Sequence, residues 1–152
     1  MLDEAYLREE LYNALRETIE TMAFAEVMPD DEEAISQVAD TDNDLVWGRI
    51  AIESEQLKGA ELVVPVELIA SLTDTMYAGD TSRAMEVYLD TVAELANTLT
   101  GKFMLDLGDK VGGFVLHVPE KGAGLPEVAG HHLVCHCMVD ETHPIRVVLF
   151  LA

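Results

Sequence analysis

The sequence predicts an α+β fold: a mostly antiparallel sheet with long helices packed on one side. Two observations carry this. Apolar residues at helical spacing run through two long stretches, 3–24 and 82–107. Runs rich in β-branched and aromatic residues, bounded by turn signals, fill 44–65 and the end of the chain. The resulting order is helix, hairpin, two helices, three strands, which points to helices gathered on one face of an antiparallel sheet. The 152 residues fit one domain spanning 1–152, large enough to bury a core.

The first helix, 3–24, brings Leu7, Leu11, Ala14, Leu15, Thr18 and Met22 to one face, with charges between them. "MPDDEEA" reads as an acidic turn or loop, with Pro29 blocking continuation of the helix. "DLVWGRIAIES" and "GAELVVP" read as a hairpin over 45–64, turning near Gly59. "PVELIASLTDTMYAG", 65–79, is a helix with Pro at its start and Gly past its end. A further helix covers about 82–107, capped by Asp80, Thr81 or Ser82. "VGGFVLHVP", "HHLVCHCMVD" and "PIRVVLFLA" are three strands, with Gly112 and Gly113 a turn or bulge.

Charge narrows the function. There are 29 acidic and 9 basic residues, a formal charge of -20. That argues against nucleic acid as a partner, because displacing phosphate counterions needs a basic patch. It argues equally against an anionic membrane surface. No uncharged apolar run reaches the roughly 18 residues of a membrane span, and the N-terminus lacks the regions of a signal peptide. Both cysteines lie in "CHC", two residues apart, which is no disulfide framework, so a cytoplasmic location is expected.

The helix over 82–107 carries an unusual stripe. At about 100° per residue, Asp90, Glu94, Asn97 and Gly101 fall within an arc of about 60°. Tyr88, Val92, Leu95, Leu99 and Phe103 cluster on the opposite side. The apolar face holds the helix on the sheet, so the stripe faces outward. Asn and Gly are poor helix formers, and Gly101 lets another backbone approach closely. A carboxylate one turn from a carboxamide has a specific chemical use. Glu can pair with a partner's cation, while Asn can hold a water and aim it. That combination suits attack on a group that already carries its own metal and charge stabilisation, as in phosphoryl transfer.

The pattern Asp90-x3-Glu94-x2-Asn97-x3-Gly101, on this helix and in this order of elements, resembles the signature of the CheC/CheX/FliY family of bacterial chemotaxis phosphatases. The resemblance covers nearly the whole chain. With one complete copy of the motif, the sequence is similar to the CheX type. It implies a phosphatase that removes the aspartyl phosphate of a CheY-like response regulator. It assigns Glu94 to the regulator's lysine and Asn97 to the hydrolytic water, with Asp90 and Gly101 in support. It implies no cofactor on this chain, Mg²⁺ on the phosphorylated partner, and a homodimer made by joining sheets. The long apolar closing strands, "HHLVCHCMV" and "RVVLFLA", are the edges expected to be covered. A non-catalytic binder of a regulator or flagellar-switch component is the alternative within the same fold.

Two rival features remain. Glu10-x2-Asn13 repeats the motif core in the first helix, but Tyr6 and Glu17 stand where Asp and Gly are required. His131, His132, Cys135, His136, Cys137 and His143 form a cluster that could supply zinc ligands. C-x-C on a single strand is not a familiar zinc spacing, and neither thiol is marked as activated, so no bound metal and no cysteine nucleophile are expected.

Overall fold

The computed structural model describes residues 2–30, 35, 44–76 and 84–152. The first helix, α1, spans Glu4–Ala23 and begins where the Asp3 carboxylate accepts from the Ala5 N–H. It ends at Phe24, which takes a left-handed conformation and returns its N–H to the Glu20 carbonyl. Most of the apolar face expected for it is buried: Leu7, Leu11, Ala14, Leu15 and Thr18 are sequestered, as is Ile19, while Met22 is only partly buried.

The following residues correct the loop reading. Val27–Pro29 form a short strand, β1, paired antiparallel with the penultimate strand. Pro29 sits at its end, where a missing N–H is tolerated. The remainder of "MPDDEEA" falls largely outside the described residues. The hairpin forms, with β2 at Leu45–Glu53 and β3 at Leu57–Pro65, but its turn lies at residues 54–56 and not near Gly59, which is paired inside β3 opposite Ala51. The second helix, α2, covers Val66–Met76, so its expected ending near Gly79 lies outside the described residues, as do the candidate caps Asp80, Thr81 and Ser82. The third helix, α3, spans Met85–Leu107, starts from Ala84 without a side-chain cap, and closes with the Gly108 N–H on the Met104 carbonyl.

After a 3-10 turn at Gly108–Lys110, "VGGFVLHVP" makes much less strand than its composition suggested. Only Val115–Leu116, β4, pairs, with the end of β2. A strand not anticipated, β5 at Glu120–Ala123, pairs with the first half of β2. The chain then closes with β6, His132–Val139, and β7, His143–Leu151. Among the described residues the sheet runs β1-β6-β7-β3-β2-β4, with β5 also on β2, and every described pairing is antiparallel.

This order corrects the expected edges. β6 lies between β1 and β7, and β7 between β6 and β3. Their backbone edges are therefore covered by neighbouring strands; β7 is buried along most of its length, while β6 alternates buried and half-exposed residues. The described edges are instead β1 at one side and β4 with β5 at the other.

All three helices feed one core on one face of the sheet, including Leu11, Leu15, Ile50, Leu62, Leu95, Leu99 and Phe103. The other face carries a smaller cluster of Ile35, Leu45 and Val63, with Trp47 and Leu125 against it. There the Glu61 carboxylate is buried between the guanidiniums of Arg49 and Arg146, which pairs the charge that burial would otherwise penalise. No described helix is long and apolar enough to cross a membrane.

Candidate functional site

α3 is locked from several sides. Tyr88, Val92, Leu95, Leu99 and Phe103 are buried, and so are Ala93, Ala96, Met104 and Leu107. The helix lies unusually close to β2. A Cβ on Gly48 would come within 2.8 Å of the Val92 carbonyl oxygen and 3.1 Å of both Ala93 Cα and Ala96 Cβ. Glycine on the strand and alanine on the helix therefore set the depth at which α3 sits. On its flank, Thr91 is joined to α2 by a 3.1 Å bond from the Thr73 hydroxyl. Thr91 and Thr100 donate to the carbonyls one turn back, at 2.8 and 2.7 Å, so these buried hydroxyls are satisfied within the helix.

What this leaves in solvent is the motif stripe. Asp90, Glu94 and Asn97 are exposed and Gly101 is half-buried. The helical wheel thus placed all four together on the outward face, and the structure keeps them there. Among the described residues, nothing lies within 4 Å of a Cβ built on Gly101. No packing among the described residues requires glycine at that position, although a helix-interior glycine costs about 1 kcal/mol relative to alanine.

The electrostatics of the stripe are uneven. Asp90 is engaged by Lys121 of β5, whose ammonium donates to Oδ1. At the other end, Lys102 is held by Glu17 of α1 at 2.8 Å and Asp106 at 3.2 Å. Those two carboxylates push the Lys102 ammonium up from its ordinary value, and Lys102 in turn holds Glu17 below the usual carboxylate range. Among the described residues, Glu94 has no ionic or hydrogen-bonded partner, and neither has Asn97. Between Asp90 and Asp106, then, Glu94 presents the one unpaired charge among the described residues, one turn from an unpaired carboxamide. Sequence reasoning missed Gly48, Lys121 and Lys102, because each acts through an element distant in the chain.

The rival pair in α1 has different surroundings. Glu10 and Asn13 are only half-exposed. Tyr6, at the position of the motif Asp, receives a hydrogen bond from Lys110 at 3.1 Å, with the ammonium 4.2 Å from its ring centre. Glu17, at the position of the motif Gly, is the partner of Lys102. Tyr6 and Glu17 thus join α1 to the 3-10 turn after α3 and to α3 itself.

The Cys/His cluster is dispersed. Cys135 and Cys137 are buried and unpaired as thiols. Burial pushes both thiols up, Cys137 to about 12 with further contributions from Cys135 and Asp30, so neither is poised as a thiolate. His131 is exposed and bonds Glu4 at 3.0 Å, while His132 bonds the Gly130 carbonyl at 2.8 Å. Among the described residues no three His, Cys, Asp or Glu side chains gather into a metal-binding group.

An α+β protein whose central helix turns a carboxylate and a carboxamide to solvent is the class these features define. Solved structures place the fold more closely, as that of the CheX and CheC-like chemotaxis proteins. The chain is similar over its full length to the chemotaxis protein CheX from Vibrio vulnificus, with a TM-score of 0.78 at 16% identity and all of both chains covered. It is similar to the structure of a CheX–CheY–BeF3–Mg²⁺ complex from Borrelia burgdorferi, with a TM-score of 0.72 at 13% identity, covering 94% of this chain and 96% of that one. A CheC-like superfamily protein from Shewanella sp. PV-4 superposes with a TM-score of 0.72 at 21% identity, covering 99% of each chain. No protein-family model and no curated protein matches the chain.

Proposed function

We propose that this chain is a phosphatase acting on the aspartyl phosphate of a CheY-like response regulator, with Glu94 and Asn97 of α3 entering the regulator's active site. The observation that carries this reading is that Glu94 and Asn97 have no partner among the described residues, on a helix whose apolar face is buried. The likeness to a CheX in complex with CheY and a phosphoryl mimic supports the choice of partner.

In this reading Glu94 docks against the regulator's active-site lysine. The Asn97 carboxamide accepts from and donates to a water, fixing it in line with the phosphorus. The water's oxygen forms a bond to phosphorus as the acyl-phosphate P–O bond breaks. The aspartate leaves as a carboxylate, and the water's oxygen stays on phosphorus, with both of the water's protons ending on the released dihydrogen phosphate. Mg²⁺ belongs to the regulator, where it offsets the phosphoryl charge, and this chain supplies position alone. Asp90, held by Lys121, and Gly101, open to solvent, shape the docking face.

We further propose a homodimer. Phe114, Val115 and Val118 lie at or beside the β4–β5 edge and are 37%, 54% and 85% exposed. Joining sheets at that edge covers these side chains and satisfies its open backbone groups. Light scattering at micromolar concentration checks the assembly, and a monomer mass contradicts it. The test of function is phosphate release from phosphorylated regulators of the same genome. Acceleration that is lost in Asn97→Ala supports the phosphatase reading. Binding without acceleration supports the non-catalytic alternative.

A further inference from the structure

Leu105 stands apart from the rest of α3. The other large aliphatic side chains in the helix's C-terminal half, Leu95, Leu99, Met104 and Leu107, are all buried, while Leu105 is 75% exposed. It is not at an arbitrary place on the surface. At about 100° per residue it lies about 20° from Glu94 around the helix, so it continues the motif stripe by one turn beyond Gly101. With a rise of about 1.5 Å per residue, it is about 12 Å along the axis from Asn97. The intervening position is a notch, because the space beside Gly101 is filled by nothing among the described residues. The charge nearby is tied off, since Lys102 is held between Glu17 and Asp106. The stripe is therefore graded: a free carboxylate and carboxamide, then an empty notch, then an apolar knob.

We propose that Leu105 is the apolar anchor of the docking surface and sets which phosphorylated regulator is accepted. The partner is a protein whose phosphorylated carboxylate is bordered, about 12 Å away along the line of α3, by an apolar recess that receives Leu105. Its backbone lies in the Gly101 notch between the two contacts. This inference rests on the functional reading above and adds partner choice to it. A buried aliphatic anchor acts on binding and residence and leaves the geometry at phosphorus to Asn97.

The test compares Leu105→Asp and Leu105→Ser with the parent and with Asn97→Ala, against the regulator that the parent turns over best. Three quantities are read: steady-state phosphate release, affinity for the regulator loaded with beryllofluoride and Mg²⁺, and melting temperature. The expected result for Leu105→Asp is KM and Kd each raised tenfold or more, with kcat within about twofold of the parent and the melting temperature unchanged. Leu105→Ser shows the same direction with a smaller change. If KM and Kd stay at the parent values while Asn97→Ala still abolishes turnover, the anchor is wrong and the phosphatase reading stands. If Leu105→Asp and Leu105→Ser both lower kcat and leave KM unchanged, Leu105 is not a docking residue. If the parent neither binds nor dephosphorylates any regulator of its host, the functional reading falls and takes the anchor with it.

Discussion

Lys121 of β5 forms an ion pair with Asp90 of α3, tying an edge strand of the sheet to the first residue of the motif stripe. The pair matters for what it leaves behind. With Asp90 engaged, Glu94 one turn on is left as a carboxylate without a partner among the described residues. Both partners are about half-exposed, so the contact is screened and worth about 0.2–1 kcal/mol. Lys121→Met is expected to lower stability by no more than that. It also leaves two like charges at i,i+4, so regulator binding becomes more sensitive to ionic strength. Denaturant melts together with affinity measured at two salt concentrations check both statements.

Gly48 is the second handle on the motif helix. Its absent side chain is what allows α3 to sit 2.8–3.1 Å from the position a Cβ would take. Gly48→Val is expected to destabilise by about 1–3 kcal/mol through overpacking against helix backbone, which cannot rotate out of the way. It also lifts the motif stripe relative to β5, so activity falls even where the protein remains folded. Urea denaturation and turnover at low temperature separate the two effects. A Gly48→Val protein with parent stability contradicts the close approach.

Gly101 should behave in the opposite way. Gly101→Ala meets no atom of the described residues within 4 Å, so it gains helix propensity without a clash. Stability is expected to rise by about 0.4–1 kcal/mol. Affinity for the phosphorylated regulator is expected to fall, because the notch is then occupied. A stabilised variant with unchanged affinity removes Gly101 from the docking surface.

The thiols supply a pH prediction. Burial raises Cys137 from an ordinary value near 9.0 to about 12, so the folded state keeps its proton where the unfolded chain has lost it. The contribution to stability is complete below about pH 9 and is lost as pH rises from there through the folded value. Cys137→Ala therefore flattens the alkaline side of the stability profile. In the native protein at pH 8, a thiol reagent reacts slowly with both cysteines and rapidly once denaturant is added. Rapid reaction of the native protein contradicts the burial.

The stripe was legible in the sequence because it is a local property. Helical period alone fixes which residues of one helix share a face, and Tyr88, Val92, Leu95, Leu99 and Phe103 went inward as the period required. The sheet order was not legible. β6 and β7 are long and apolar, and length with apolarity fits an unprotected edge as well as a buried interior. What decides between them is β1, three residues near the N-terminal side that pair with β6 more than a hundred positions away. Such a short strand carries no period of its own. β5 escaped notice for the same reason: "EKGA" has no β-branched residue and is held by β2 and by Trp47 lying against Gly122. Gly48 looked like any strand glycine, since its role depends on Ala93 and Ala96 arriving from another element.

Glu94 and Asn97 are expected to fail differently. Glu94→Ala removes the partner of a cation at the interface, and it should weaken regulator binding by about 2–5 kcal/mol where the pair is desolvated. Stability should move by about 0.5 kcal/mol or less, because Glu94 is exposed and without a partner among the described residues.

The most direct test is single-turnover phosphate release from a saturating complex with Asn97→Ala. Saturation removes differences in binding, so the rate reports only how the attacking water is held. The expected result is a rate on the order of 100-fold below the parent, with regulator affinity and melting temperature unchanged. Release at the parent rate contradicts the assignment of the water to Asn97, and with it the central reading of the motif helix.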